Sequence, residues 1–303
     1  MPRPLLLVVT GPTASGKSAL AIQLARILGC HIVSADSRQI YRGIPIVTAA
    51  PSPDELAAAP HHFIACRNLT EPYSAAAYAD DVEKLLPQLW ANNPIAIMCG
   101  GSMMYIDAVI NGLDTLPPIP ESTRLRVLEH YNTHGTEGLR SWLRQLDPEY
   151  YDRVDLNNHA RLIHAIEVSL EAGMPYSSLL NRPKKERPYD VLMVAPQWPR
   201  HALFERINAR VDAMVGGGLE EEARSVFHLR HLNSLNTVGL KEMFAYFDGM
   251  LSRETAISRI AKNTRVYAKK QLTWMRKYTN LHWLDSNGDR VAATLQLLQA
   301  HRQ

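Results

Sequence analysis

Residues 5–18 read LLLVVTGPTASGKS, an apolar run that leads directly into a glycine loop. The loop fits the pattern GxxxxGK[ST], and it has the strand before it and the helical pattern after it that this motif requires. Backbone N–H groups of such a loop cradle phosphate oxygens, Lys17 adds a cation, and the Ser18 hydroxyl is a candidate ligand for Mg²⁺. The predicted phosphate-binding residues are Gly11, Pro12, Thr13, Ala14, Ser15, Gly16, Lys17 and Ser18.

Short apolar runs alternate with helical patterns in the first hundred residues and again after residue 188. This alternation is typical of a parallel sheet flanked by helices. Strands are predicted at residues 5–9, 31–34, 95–98 and 191–195. Helices are predicted at residues 18–28, 75–89, 201–215, 219–229, 240–247 and 252–277. The expected fold class is α/β, a P-loop NTPase-like parallel sheet flanked by helices.

Two proline-rich stretches, residues 116–120 and 182–188, bracket a segment whose patterns are entirely helical. Its helices are predicted at residues 121–131, 137–146 and 158–171. We therefore expect a P-loop core formed by residues 1–116 and 188–303. An all-helical insertion domain is expected at residues 117–187.

The composition excludes several classes of protein. Hydrophobic residues make up 46% of the chain and charged residues 21%, as in folded globular proteins. No apolar run reaches the roughly 18 residues of a membrane span, and the first ten residues lead into the loop instead of a cleavage site. Cys30, Cys66 and Cys99 lie far apart without metal-ligand spacing, which argues against disulfides and structural zinc. These features predict a cytoplasmic protein that does not bind a membrane.

The residues around the loop indicate which classes of P-loop protein the chain does not resemble and which residue could act beside the phosphate. The apolar run ending at Cys99 continues as Gly-Gly-Ser, whereas a motor ATPase usually carries an acidic residue there. No Asn-Lys-x-Asp guanine motif occurs either, so motor ATPases and GTPases are disfavoured. Asp36 follows the second predicted strand, at the sheet edge where α/β folds bind ligands. It is a candidate general base or water-mediated Mg²⁺ ligand, and the alternative is an Asp that caps the following turn.

The densest positive segment runs from Arg253 to Lys277, where eight basic residues stand against the single acidic residue Glu254. Tyr267 and Trp274 are interleaved with them. One interpretation is a helix that lies along an RNA phosphate backbone. The other is a solvated helix face with aromatic side chains in the core.

Five blocks follow one another in order: GPTASGKS at 11–18, SADSRQIY at 34–41, GGSMMY at 100–105, RINARVDAM at 206–214 and KKQLTWMR at 269–276. With these blocks the sequence closely resembles the tRNA dimethylallyltransferases (isopentenyltransferases) of bacterial type, over nearly the whole chain. The resemblance implies transfer of a dimethylallyl group from dimethylallyl diphosphate to N6 of the adenosine 3′-adjacent to the anticodon in tRNA. It also implies Mg²⁺ as cofactor and the anticodon stem-loop as partner, and we expect a monomer.

The family pattern also implies roles for single residues. Asp36 would be the base toward N6, Thr13 a donor to the oxygen that bridges the prenyl carbon and the diphosphate, and Arg210 a second cation beside Lys17. Arg161 matches the family pattern, whereas His164 stands where the family usually has Arg. The residues expected to contact tRNA are Asp36, Ser37, Arg38, Gln39, Ser102, Arg124, Arg161, His164, Lys241, Lys269 and Arg276.

Two other functions are compatible with the loop. A P-loop small-molecule kinase would use it on ATP, and this alternative leaves the basic segment unexplained. A non-catalytic RNA-binding P-loop protein would use the basic segment, and Asp36 would then be dispensable.

Overall fold

The computed structural model describes residues 3–114, 116–180 and 186–302. The chain divides into two compact units. The core unit comprises the chain up to Asn111 together with the chain from Glu186 onward, and the helical unit runs from Gly112 to Lys185. No helix within the described ranges is both long and apolar enough to cross a membrane.

Six strands of the core unit form one sheet within the described residues. In chain order they are β1 (Leu5–Thr10), β2 (Ile32–Ser34), β3 (His61–His62), β4 (Ile95–Gly100), β5 (Asp190–Pro196) and β6 (Leu281–Leu284). Their order across the sheet is β3-β2-β4-β1-β5-β6, and all pairings are parallel. The predicted α/β class with a parallel sheet is confirmed. The sequence patterns missed β3 and β6, which are short edge strands without a continuous apolar run.

The helices of the described chain are α1 (Lys17–Leu28), α2 (Pro45–Thr48), α3 (Pro53–Ala58), α4 (Ala75–Trp90), α5 (Met103–Asn111), α6 (Glu121–Leu146), α7 (Pro148–Arg153), α8 (His159–Ala172), α9 (Tyr176–Leu179), α10 (Arg200–Gly216), α11 (Leu219–Ser225), α12 (Leu240–Phe247), α13 (Arg253–Met275) and α14 (Arg290–Arg302). The helix predicted at 219–229 is shorter than expected, because it ends at Ser225 and a 3₁₀ turn follows at Phe227–Leu229. Helices α2, α3, α5, α7, α9 and α14 were not predicted.

Strand β1 is buried along its whole length, and its alternate residues pack on opposite faces of the sheet. Leu6 and Val8 belong to the hydrophobic cluster on one face, whereas Leu5, Leu7 and Val9 belong to the cluster on the other. Full burial of a Leu or Val side chain stabilises a fold by roughly 1.5–3 kcal/mol. The carboxyl end of β1, from which the glycine loop begins, is therefore firmly held.

The strand register determines which residues meet at this edge of the sheet. Thr10 pairs with Gly100, and Ser34 pairs with Cys99. A Cβ atom on Gly100 would lie 2.1 Å from the carbonyl oxygen of Ala35, so this approach of β4 to the end of β2 requires glycine. The glycine loop, the residues after β2 and the residues after β4 consequently converge.

The helical unit contains α6 to α9. Helix α6 is interrupted at Gly135, whose φ of 62° is not helical, so the helices predicted at 121–131 and 137–146 are its two arms. Buried Asp147 accepts hydrogen bonds from the Tyr150 N–H (2.9 Å) and from the N–H (2.6 Å) and hydroxyl (2.8 Å) of Ser177, and it thereby fixes the short helices α7 and α9. The core of this unit is formed by Val127, Leu139, Leu143, Leu162, Ala165 and Ile166.

Candidate active site

The glycine loop connects β1 to α1, and its backbone has the conformation of a phosphate cradle. Ala14 (φ 63°) and Gly16 (φ 87°) both adopt the left-handed region, which turns successive N–H groups toward a common centre. Helix α1 begins at Lys17, directly after Gly16. The Ser15 hydroxyl is fully buried and has no hydrogen-bond partner in the described part of the chain. The loop therefore carries polar groups that a phosphate oxygen would satisfy.

Three side chains from outside the loop hold its backbone. The Oε1 atom of Gln271 on α13 accepts from the Thr13 N–H at 2.9 Å, and its Nε2 atom donates to the Gly101 carbonyl at 2.9 Å. Trp198 Nε1 donates to the Ser15 carbonyl at 2.8 Å, and Arg206 Nε donates to the Ala14 carbonyl at 2.8 Å. Sequence reasoning assigned no role to these three residues. Arg206 and Gln271 lie in blocks that carried the resemblance, which is the signal that could have singled them out.

Replacement of Gln271 by Met is expected to weaken both the fold and the binding of inorganic diphosphate. The substitution leaves the Thr13 N–H and the Gly101 carbonyl without partners in a position where Gln271 is only 2% exposed. An unsatisfied buried group costs roughly 1–3 kcal/mol. Thermal melts and calorimetry with diphosphate measure the two effects.

The matched control is Gln88→Met on the exposed face of α4, which should change stability by no more than about 0.5 kcal/mol. Unchanged diphosphate affinity in folded Gln271→Met would mean that Gln271 does not position the loop.

Asp36 lies two residues after the end of β2, and one of its carboxylate oxygens accepts hydrogen bonds from the local turn. Its Oδ1 atom accepts hydrogen bonds from the backbone N–H groups of Arg38 (2.9 Å) and Gln39 (3.2 Å). The turn-capping interpretation is therefore correct for this oxygen. The same side chain also lines the cavity that contains Thr13 and Lys17. One oxygen fixes the orientation of the carboxylate, and the other is the candidate for chemistry.

Two half-buried cations, Lys17 and Arg210, lie close to this carboxylate. Desolvation lowers the pKa of Lys17, and the positive charge of Arg210 lowers it further, while Asp36 acts in the opposite direction. Burial also lowers the pKa of Arg210, and Asp36 again opposes the shift. The Arg210 guanidinium additionally donates to the Thr48 carbonyl at 3.4 Å. Half-buried cations with lowered pKa values are stabilised by an anion, so the arrangement favours a phosphate-containing ligand.

A cavity of about 320 Å³, called here the first cavity, joins these groups. One part of its lining is polar and contains the loop cation, the carboxylate and Arg210. Its lining also includes apolar residues, among them Ala21, Ile32, Val47, Ile64, Val211, Met214 and Ile260. The cavity therefore offers both ionic and hydrocarbon groups to one ligand.

Several residues predicted to contact tRNA line the first cavity. The side chains of two of them, Arg38 and Gln39, donate hydrogen bonds to backbone carbonyls of the protein itself. The Arg38 guanidinium donates to the carbonyls of Asn233 (2.8 Å), Ser234 (3.0 Å) and Asn236 (3.3 Å). Gln39 Nε2 donates to the carbonyls at positions 48 (3.2 Å) and 49 (2.9 Å). These two side chains fix the walls of the cavity. The other predicted residues in the lining are Asp36, Ser37, Ser102 and Lys241, and the Ser102 hydroxyl accepts from the Ser37 N–H at 2.8 Å.

One face of α13 reaches the cavity, and its basic side chains point elsewhere. Thr264, Tyr267 and Gln271 line the cavity from this helix. Burial raises the pKa of Tyr267 to about 12, with a further contribution from Asp36, so its hydroxyl stays protonated. Lys269 and Arg276, both predicted to contact tRNA, are exposed and do not line the cavity.

The remaining predicted tRNA contacts belong to the helical unit. Arg124 lies in the first turn of α6, and Arg161 lies near the start of α8. Both are exposed, as is His164 one turn further along α8. Desolvation lowers the pKa of His164, and the positive charge of Arg124 adds to the effect. His164 is thus favoured in its neutral form, as a hydrogen-bonding group and not a cation.

Comparison with known proteins identifies the family. The profile of the family described as IPP transferase matches residues 39–278. A tRNA dimethylallyltransferase 2 of Porphyromonas gingivalis is 46% identical over 286 residues, which cover 94% of this chain and 95% of that protein. A tRNA dimethylallyltransferase 1 of Phocaeicola vulgatus is 47% identical over 278 residues, 92% of this chain and 93% of that protein.

Solved structures agree with this assignment. The full-length tRNA isopentenylpyrophosphate transferase of Bacillus halodurans superposes with a TM-score of 0.73 at 31% identity, covering 99% of this chain and 97% of that chain. A eukaryotic dimethylallyltransferase acting on tRNA shares the fold, with a TM-score of 0.83 at 22% identity over 99% of this chain and 80% of that chain. With a phosphate loop, half-buried cations and an oriented carboxylate in one cavity, and with relatives that match along almost its full length, the chain belongs to the IPP transferase family of tRNA dimethylallyltransferases.

Proposed function

We propose that this protein transfers the dimethylallyl group of dimethylallyl diphosphate to N6 of the adenosine 3′-adjacent to the anticodon in tRNA, with release of diphosphate. The observation that carries the proposal is the first cavity, in which a phosphate loop, two half-buried cations and a carboxylate occur together with apolar lining residues. Each part of this cavity matches one part of the reaction.

The diphosphate is assigned to the loop. Negative charge grows on the bridging oxygen and the diphosphate as the bond to the prenyl carbon breaks, so cations and donors there stabilise the transition state more than the ground state. Lys17 and Arg210 are the cations, and the Thr13 hydroxyl is the donor to the bridging oxygen. The hydrogen bond from the Thr13 N–H to Gln271 supports this role, because it fixes the backbone at Thr13.

The prenyl group is assigned to the apolar lining, where Ile32, Val47, Val211 and Met214 are present. Removal of each buried methylene from water contributes roughly 0.8 kcal/mol, so a five-carbon chain gains several kcal/mol there.

Asp36 is assigned as the base. Adenine N6 is a poor nucleophile, and a carboxylate that accepts its proton as the new C–N bond forms assists the attack. N6 lies on the pairing edge of adenine, so the base must be splayed out of the anticodon stack to reach the cavity. Because Oδ1 is held by the turn after β2, the carboxylate has little freedom to rotate away.

The residues present fit Mg²⁺ only in combination with the substrate. No group of three His, Cys, Asp or Glu side chains in the described ranges could hold a metal ion by itself. The Ser18 hydroxyl and the Asp36 carboxylate do line the first cavity, and both are oxygen donors of the kind that Mg²⁺ prefers. We propose that Ser18 would hold the ion together with diphosphate oxygens, while Asp36 keeps the role of base. When bound, the ion supplies further neutralisation of the diphosphate charge.

One assay separates the proposed reaction from its alternatives. The protein is incubated with tRNA, radiolabelled dimethylallyl diphosphate and, in a parallel sample, γ-labelled ATP. Transfer of the prenyl label to tRNA, with no phosphate label on an acceptor, is expected. Transfer of the phosphate label would indicate a kinase, and tRNA binding without transfer of either label would indicate a non-catalytic RNA-binding protein.

The exposed basic side chains of α13 are proposed to contact tRNA phosphates. Replacement of Lys269 or Arg276 by Ala should then weaken tRNA binding to a similar degree for different tRNA sequences. Each change should reduce the slope of log K against log salt by about one unit or slightly less. Binding isotherms at several salt concentrations measure this slope. Lys84→Ala on α4, whose side chain is 76% exposed, is the matched control and should leave the slope unchanged. A constant slope in both α13 variants would remove this helix from the tRNA site.

A further inference from the structure

A second opening lies beside the glycine loop. This outer cavity, of about 440 Å³, is lined by the loop residues Ala14 and Gly16, by the start of α1, and by Arg206 and Arg210 of α10. Lys17, Ser18 and Arg210 line both cavities, whereas Asp36 lines the first cavity only. Residues assigned to the diphosphate are therefore shared by the two cavities, and only the first cavity also contains the carboxylate in its lining.

Two guanidinium groups lie over one indole ring close to Gly16, and one of them, that of Arg206, also lines the outer cavity. The Cζ atom of Arg206 lies 4.4 Å from the centre of the Trp198 ring, and that of Arg290 lies 4.6 Å from it. The indole is itself fixed, because its Nε1 atom donates to the Ser15 carbonyl at 2.8 Å. Stacking on the ring restricts both arginines to one orientation.

The remaining donors of these arginines converge on Gly16. Arg206 uses Nε for the Ala14 carbonyl, and Arg290 uses Nε and Nη2 for the carbonyls of Asp285 and Ser286, both at 3.1 Å. A Cβ atom on Gly16 would lie 3.7 Å from Arg290 Nη1 and 3.8 Å from Arg206 Nη2. The two nitrogens are thus directed to one place beside the first residues of α1, whose N–H groups also favour an anion.

The hydrogen-bond partners of Arg206 and Arg290 are backbone carbonyl groups. Because these partners are neutral, they do not balance the positive charges of the two guanidinium groups. Desolvation lowers the pKa of Arg290, and the neighbouring Arg206 charge lowers it further, while Asp285 opposes the shift. Two like charges held close together are stabilised by an anion that binds both. A phosphate group, with several acceptor oxygens and a full negative charge, matches two guanidinium groups.

We propose that Arg206 and Arg290 form an outer anion subsite, which binds a phosphate group beside Gly16 in addition to the two phosphates held by the loop. The inference rests on the proposed function, because that function places the diphosphate in the loop.

Calorimetry with inorganic diphosphate and inorganic tripolyphosphate, without tRNA, tests the subsite. Tripolyphosphate carries one phosphate more than the two that the loop is proposed to hold, so the wild-type protein should bind it about tenfold more tightly than diphosphate, a difference typical of one additional charge-assisted contact. Arg290→Gln should abolish this preference and leave diphosphate affinity within about threefold. Arg290→Lys, which keeps the charge, should retain part of the preference. Arg290 is the decisive position because, unlike Arg206, it has no hydrogen bond to the loop.

Arg26→Gln is the matched control, since it removes the same charge from the exposed last turn of α1 and should preserve the preference. Thermal melts establish that each variant is folded. Equal affinities of the wild-type protein for the two ligands would overturn the subsite, and so would an equal loss of both affinities in Arg290→Gln. A wild-type protein that binds neither ligand would instead contradict the assignment of diphosphate to the loop, and with it the proposed function.

Discussion

Replacement of Asp36 by Asn is expected to lower the rate of prenyl transfer by roughly 10²- to 10⁴-fold, the usual effect of losing a general base. Asn keeps an Oδ1 atom that can accept from the backbone N–H groups of Arg38 and Gln39, so the turn after β2 is preserved. A neutral amide cannot take a proton from N6. Single-turnover rates at saturating dimethylallyl diphosphate and tRNA measure the chemical step, and tRNA affinity should change little.

Asp36→Ala separates the two functions of this side chain, because it removes both the turn acceptor and the base. If Asp36 is the base, the Asn and Ala variants should lose similar amounts of activity. If Asp36 only caps the turn, the Asn variant should transfer the prenyl group at nearly the wild-type rate. That second result would contradict the proposed mechanism and would leave the carboxylate a structural role alone.

Replacement of Lys17 by Met is expected to reduce kcat by about 10²- to 10³-fold, the range found for loss of one group that stabilises transition-state charge. Binding of the donor should also weaken, because Lys17 contacts the diphosphate before the reaction as well as during it. Met has a similar length and no charge, so the cavity keeps its shape. Lys84→Met on α4, whose side chain is 76% exposed, is the matched control. Wild-type kinetics in Lys17→Met would show that the loop cation does not act on the donor.

The pH dependence of donor binding gives an independent readout of Lys17. Burial lowers the pKa of its ammonium group in the free protein. Diphosphate requires the charged form, so donor affinity should fall as the pH rises through this lowered pKa. Bound diphosphate stabilises the charge, so binding below that pKa should take up no proton and binding above it should. Calorimetry across the alkaline range should show this decline in the wild-type protein and a flatter profile in Lys17→Met.

The loop and the strand before it could be predicted from the sequence because both are local. Phosphate binding by Gly11 to Ser18 depends on glycines, a lysine and a hydroxyl at fixed spacing. The apolar run of β1 indicates a buried central strand, and the structure shows it fully buried. The helical arms on either side of Gly135 were likewise evident, since the apolar spacing and the glycine between them lie within one short segment.

The support of the loop could not be predicted in this way. Gln271 lies 258 residues from Thr13 along the chain, and Trp198 lies 183 residues from Ser15. No periodicity or motif in the sequence predicts these contacts. They form only when α13 and the segment after β5 pack against the glycine loop in the folded chain. The role of Asp36 was similarly left between a base and a turn cap, and the geometry shows that one oxygen already serves the turn.

The sequence by itself determined the α/β class, the phosphate loop and the family, because each is carried by contiguous residues whose chemistry does not depend on distant neighbours. Only the tertiary structure decided what the polar side chains around the loop do. Arg38 illustrates the difference: the sequence presents a cation suited to RNA, whereas in the fold its guanidinium donates to three backbone carbonyls. The physical reason is that a guanidinium binds whichever acceptors the packed chain brings within hydrogen-bond distance, and the positions of those carbonyls are set by the whole fold.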